Sequence, residues 1–107
     1  MLTKDAKTML YAFYKEYKKR RKTQLPKCNA RVIGSCEVVQ QDYFPNWHIE
    51  DIKDTMRELG RNNFLKNRHY DNTICYSQLT DYAISVMEIQ KTETFLSITD
   101  FIAKFIP

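Results

Sequence analysis

The residues able to do chemistry are few and scattered. His48 and His69 are the only histidines, and neither has a neighbouring Ser or Cys and an orienting acid, as nucleophilic catalysis needs. Cys28, Cys36 and Cys75 are odd in number and lack zinc-knuckle spacing, so free thiols, buried or half-buried, are expected. Glu50, Asp51, Asp54 and Glu58 recur at helix-surface spacing, which suits a solvated face better than a metal site. Two glycines, Gly34 and Gly60, cannot build a phosphate-cradling loop. The pattern predicts no catalytic residue, no metal and no cofactor.

Positive charge is the stronger signal. Residues 1–31 hold ten Lys or Arg against Asp5 and Glu16, whereas the remaining 76 residues hold seven basic groups against eleven acidic ones. Such an asymmetry suggests that one end of the molecule meets a polyanion. Six of the eight residues in KEYKKRRK, positions 15–22, are basic. Some of that charge suits the negative end of a helix dipole. The excess leaves two readings open, a phosphate contact or a solvated helix end.

The elements that must position these groups follow from periodicity. At 107 residues, 43% hydrophobic and 13% aromatic, the chain is expected to form one domain, residues 1–107, with a hydrophobic core. No apolar run is long enough to cross a bilayer. The stretch MLTKDAKTML lacks the features of a signal peptide, which predicts a cytoplasmic protein. Thr3 is placed to cap a helix from about Lys4 to Arg21, with Ala6, Met9, Leu10, Phe13 and Tyr17 as its apolar stripe. Pro26 should open a short helix running to about Ile33 and stopped by Gly34. Ser35 should cap another, with Glu37 in its first turn, ending near Tyr43.

The central helix is expected from Trp47 or His48 to about Arg61, with Ile49, Ile52, Met56 and Leu59 buried and Asn63 left-handed at its end. A hairpin turning at Asp71-Asn72 follows. With that turn, His69 faces Ile74, Asn67 faces Tyr76 and Leu65 faces Gln78. Leu65, Ile74 and Tyr76 then form the core face, and Lys66, Arg68, Thr73 and Ser77 the outer one. Thr80 caps a further helix. A last helix over residues 92–107 carries Phe95, Ile98, Ile102 and Phe105 at a 3-4-3 spacing, widened by Leu96, Phe101 and Ile106. So much apolar surface needs a cover. A second subunit meeting Phe95, Ile98, Phe101, Ile102 and Phe105 is expected, with packing inside the monomer as the alternative.

Leu59, Asn63, Phe64 and Leu65, a variable turn, then Tyr76, Leu79 and Thr80 together resemble a stretch of bacterial winged-helix regulators of the MarR and PadR types. The chain is also similar to small uncharacterised winged-helix proteins of Gram-positive bacteria. The resemblance covers roughly residues 35–90. Asn63 stands for the usual Gly, and Ala83 for a later one. It implies an α+β, mostly helical winged helix, with residues 1–91 as the core. It also implies a non-catalytic, dimeric transcription regulator that binds duplex DNA. Helix 48–61 would then lie in the major groove with the wing beside it.

On that pattern Lys18, Lys19, Arg20, Arg21, Lys22, Lys27, Arg31, Lys66 and Arg68 would grip phosphates. Lys53, Arg57 and Arg61 would meet bases or backbone. The outward face of the central helix argues the other way. It carries Glu50, Asp54 and Glu58 besides Arg61, and the pairs Glu50–Lys53 and Asp54–Arg57 account for those charges as surface ion pairs. A protein-interaction module on the same scaffold, docking through the terminal helix, is the alternative. No residue set identifies a small-molecule effector.

Overall fold

The computed structural model describes residues 1–93. The expected terminal helix and the contacts assigned to Phe95, Ile98, Phe101, Ile102 and Phe105 therefore lie outside the described residues. Five helices and one hairpin follow in the order α1 (Lys4–Lys22), α2 (Lys27–Ala30), α3 (Cys36–Asp42), α4 (Ile49–Arg61), β1 (Leu65–Tyr70), β2 (Thr73–Leu79) and α5 (Asp81–Glu93). The fold is α+β, mostly helical, with a two-stranded antiparallel sheet.

Capping explains where the helices begin. The Thr3 hydroxyl accepts from the Ala6 N–H at 3.3 Å, Ser35 from Val38 at 3.2 Å, and Thr80 from Ala83 at 3.0 Å. Each satisfies an amide that the helix itself cannot. His48 caps α4 with Nδ1, which accepts from the Glu50 N–H at 3.2 Å. Asn63 ends that helix at φ 66°, in the left-handed region that Asn tolerates. Asp71 and Asn72 are both left-handed, at φ 52° and 62°. A two-residue turn matched to the twist of its strands requires this.

The core forms where α1, α4, α5 and the inner face of the hairpin meet. Met9, Phe13, Ile52, Met56, Leu59, Ile74 and Leu79 are all at most 1% exposed, and burying each such side chain is worth roughly 1.5–3 kcal/mol. Tyr43 sits edge-on to Phe13, ring centroids 5.0 Å apart, and Phe44 stacks on Trp47 at 4.3 Å. Burial pushes the Tyr43 phenol up to about 12. Its buried hydroxyl has no hydrogen-bond partner among the described residues.

Three local expectations are corrected. The short helix α2 stops at Ala30 instead of reaching Ile33. Val32 instead bridges Gln78 of β2, with the Leu79 N–H donating to the Arg31 carbonyl at 2.9 Å and the Ile33 N–H to the Ser77 carbonyl at 2.8 Å. A β-branched residue gains more from the sheet edge than from extending a four-residue helix. The hairpin register also differs. His69 does face Ile74, but a bulge shifts the rest, so Arg68 faces Tyr76, Asn67 faces Ser77 and Leu65 faces Leu79.

The extra residue is Cys75, and inserting it turns Tyr76 outward and Ser77 inward. Ser77 is fully buried, and the Arg68 guanidinium lies 5.6 Å from the Tyr76 ring centroid. The thiols are all free, yet only Cys36 is buried; Cys28 and Cys75 are exposed. Cys75 points outward because the bulge places it there.

Bringing Ser77 inside creates a polar clamp between α4 and the hairpin. Its hydroxyl donates to Asn67 Oδ1 at 2.7 Å, and Asn67 Nδ2 donates to the Met56 carbonyl at 2.9 Å. The carboxamide lies over Gly60, where an added Cβ would meet Asn67 Nδ2 at 2.7 Å. Replacing a helical Gly by Ala ordinarily stabilises. Here Gly60→Ala is expected to lower unfolding free energy by about 1–3 kcal/mol in urea titrations, because overpacking displaces the clamp. Tyr43→Phe should leave stability unchanged or raise it by up to about 1 kcal/mol, since it removes an unpaired buried hydroxyl.

Candidate nucleic-acid interface

The basic residues divide by what they already hold. Arg20, in the last turn of α1, pairs with Glu16 at 3.2 Å and donates through Nη1 to the Val32 carbonyl at 2.5 Å and the Ala30 carbonyl at 3.4 Å. It ties the end of α1 to the segment after α2. Arg31 and Lys27 share the carboxylate of Asp81 at the start of α5; the Lys27 contact is 3.3 Å. Arg21 donates to the Leu25 carbonyl at 3.1 Å, and the Lys18 ammonium lies 5.8 Å from the Tyr14 ring centroid. Five of the seven expected phosphate contacts in residues 18–31 therefore have a partner within the chain.

Helix α4 carries the ion pairs its spacing suggests, Lys53–Glu50 at 3.4 Å and Arg57–Asp54 at 3.2 Å. Arg57 also donates to the Asn72 carbonyl at the hairpin turn, at 3.0 Å. Glu58, expected on the outward face, instead turns toward α1. Its carboxylate accepts from the Thr3 N–H at 2.8 Å and from the Thr3 hydroxyl at 2.7 Å. A negative group at a helix N-terminus is well placed, and its departure leaves the outward face less acidic. Lys19, Lys22, Arg61 and Lys66 are exposed, and none has a carboxylate partner among the described residues.

Between the C-terminal half of α4 and the inner face of β1 lies a hollow of about 420 Å³ lined by Arg57, Gly60, Arg61, Leu65, Asn67 and His69. Residues 57, 60 and 61 share one helix face, and 65, 67 and 69 one strand face. Arg57 and Arg61 belong to the predicted set; His69 and Asn67 do not. Their alternation with Leu65 was the available signal, but it acquires meaning only once β1 is set beside α4. Lys66 and Arg68 occupy the other face of the hairpin. Lys19 and Lys22 lie apart from this hollow, at the end of α1.

The described residues contain no group of three or more His, Cys, Asp or Glu arranged to hold a metal. No helix among them is long and apolar enough to cross a membrane. Compared with protein families, curated proteins and solved structures, the chain shows no significant match to any.

The hydrogen bond from Arg31, then that from Lys27, holds the Asp81 carboxyl below the usual carboxylate range. A depressed carboxyl stabilises the folded state above its unfolded pKa, and the contribution is lost as pH falls through the lower folded value. Urea midpoints should therefore fall more steeply below about pH 4 in the native chain than in Asp81→Asn. Parallel pH profiles for the two would contradict the role assigned to this ion triad.

Proposed function

We propose that the chain is a winged-helix domain that binds duplex DNA through α4, the hairpin and the basic end of α1. On this reading it acts without catalysis, as a dimeric regulator of transcription in the cytoplasm. Helices α3 and α4 form the helix-turn-helix. The hairpin is the wing, and the isolated bridge of Val32 to Gln78 of β2 braces it. The observation that carries the reading is where unpaired cations remain. Once Arg20, Arg31, Lys27, Lys53 and Arg57 are assigned to internal partners, exposed Arg61 and Lys66 lie at the helix–hairpin junction and Lys19 and Lys22 on α1. Phosphate contacts use such residues, and their affinity falls with salt through counterion release. The dimer is proposed through Phe95, Ile98, Phe101, Ile102 and Phe105.

One observation favours a protein-interaction module instead. Tyr82 and Ile89, seven residues apart on α5, are 53% and 57% exposed. They lie on the side of α5 opposite Ala83, Ile84 and Met87, which pack on the core.

Binding of a labelled random-sequence duplex separates the two readings. Affinity should drop steeply between about 50 and 200 mM salt, and Lys19→Ala/Lys22→Ala should weaken it without lowering the melting temperature. Absence of binding at the lower salt would remove the DNA reading and leave the interaction module.

A further inference from the structure

The hollow between α4 and β1 has the composition of an anion seat. Its walls present two guanidiniums and an imidazole, from Arg57, Arg61 and His69, and no carboxylate. Leu65 closes one side as an apolar wall, 3% exposed. The Asn67 carboxamide lies over Gly60 and cannot swing further into the space because both its ends are engaged, with Met56 and Ser77. Arg57 is held across one end of the hollow by the Asn72 carbonyl and Asp54, which fixes its guanidinium and leaves part of its charge available. Arg61 and His69 are exposed and have no carboxylate partner among the described residues.

We propose that this hollow seats a phosphate group, with Arg61 and His69 as the adaptable donors and Arg57 as the fixed one. The assignment rests on the DNA reading for its source, a backbone phosphate of the bound duplex. The same donors would take a free phosphate or pyrophosphate. At about 420 Å³ the hollow falls in the range of ligand sites, with room for a phosphate and the sugars that flank it. A planar guanidinium matches two phosphate oxygens at once, which an ammonium cannot do. The seat therefore favours Arg61 over lysine.

The geometry adds a constraint on how the duplex lies. A phosphate in this hollow touches α4 and β1 together, so it sets the angle between helix and wing on the duplex. It reads no base edge. Affinity should thus change uniformly across sequences when the seat is altered.

The experiment is a salt titration of duplex binding with the native chain, Arg61→Gln, Arg61→Lys and Arg61→Gln/His69→Gln. Arg61 and His69 are exposed, so equal melting temperatures serve as the folding control. Removing one phosphate contact should lower the slope of log affinity against log salt by about one, and affinity at 0.1 M salt by roughly eightfold. Arg61→Lys should fall between the native chain and Arg61→Gln. Pyrophosphate is titrated in parallel, read by the His69 ring proton resonances.

Slopes and affinities equal to the native chain in both glutamine variants, with the Lys19→Ala/Lys22→Ala control still weakened, would overturn the seat while sparing the DNA reading. If the native chain binds no duplex, saturable shifts of the His69 resonances by pyrophosphate that vanish in Arg61→Gln would keep the seat with a free phosphate as its source. The absence of both signals would overturn it.

Discussion

The structure turns on Ser77. Its hydroxyl, inside the protein, donates to Asn67, which in turn donates to the Met56 carbonyl of α4. Its own carbonyl accepts from the N–H groups of both Ile33 and Gly34, at 2.8 and 3.1 Å. One residue of β2 thereby joins its partner strand, the central helix and the segment that follows α2. A buried polar group is costly unless it is fully paired, and here the partners lie on β1 and on the segment after α2. The positions of those elements are thus mutually fixed. Gly60 is part of the same arrangement, since only a residue without a side chain lets the carboxamide approach the helix so closely.

Charge in this chain has two uses that composition alone does not separate. Arg20 and Arg31 hold the α1–α2 region to its neighbours through carbonyls and through Asp81. They behave as structural crosslinks whose charge is largely taken up internally. Lys19 and Lys22 at the end of α1, and Arg61 and Lys66 beside the hairpin, keep their charge toward solvent. The guanidinium, with five donors in a fixed fork, suits the first use. The second use is shared by ammonium groups and by Arg61. The ten basic residues of positions 1–31 therefore overstate the cations free to meet a partner there, and the net charge of +4 says nothing of those beside α4.

Much of the architecture was legible because it is local. Thr3, Ser35 and Thr80 announce helix starts by side-chain chemistry acting three residues away, and Asn63 and the Asp71-Asn72 pair announce left-handed backbone. The apolar stripe of α1 needed only a period. The register of the hairpin was not legible, because LKNRHY has one strongly apolar residue and so cannot report a one-residue slip. Its bulge is set by what the inner face must satisfy, namely Asn67. Val32 was absorbed into a helix for a similar reason, as its partner Gln78 lies far along the chain. Glu58 looked like a surface acid because nothing near it in sequence reveals that Thr3 is waiting. The hollow beside α4 was half visible: Arg57 and Arg61 could be named from the helix, but His69 entered only through tertiary placement.

The bond between Thr3 and Glu58 spans 55 positions, and that between Arg31 and Asp81 spans 50. This separation bears on the order in which the molecule can assemble. Helical domains usually fold fast because their contacts are close in sequence, and distant closures slow the search. Here α1 is made before α4 and α5, yet the carboxylate at its N-terminus arrives only with α4, and the anchor of the segment after α2 only with α5. During synthesis the first helix carries an apolar stripe with no core to enter and a dense run of positive charge that has only local partners such as Glu16 and Tyr14. The α1 stretch is thus cationic and amphipathic from the outset, and its apolar stripe is fully covered only once α4 and α5 have both docked.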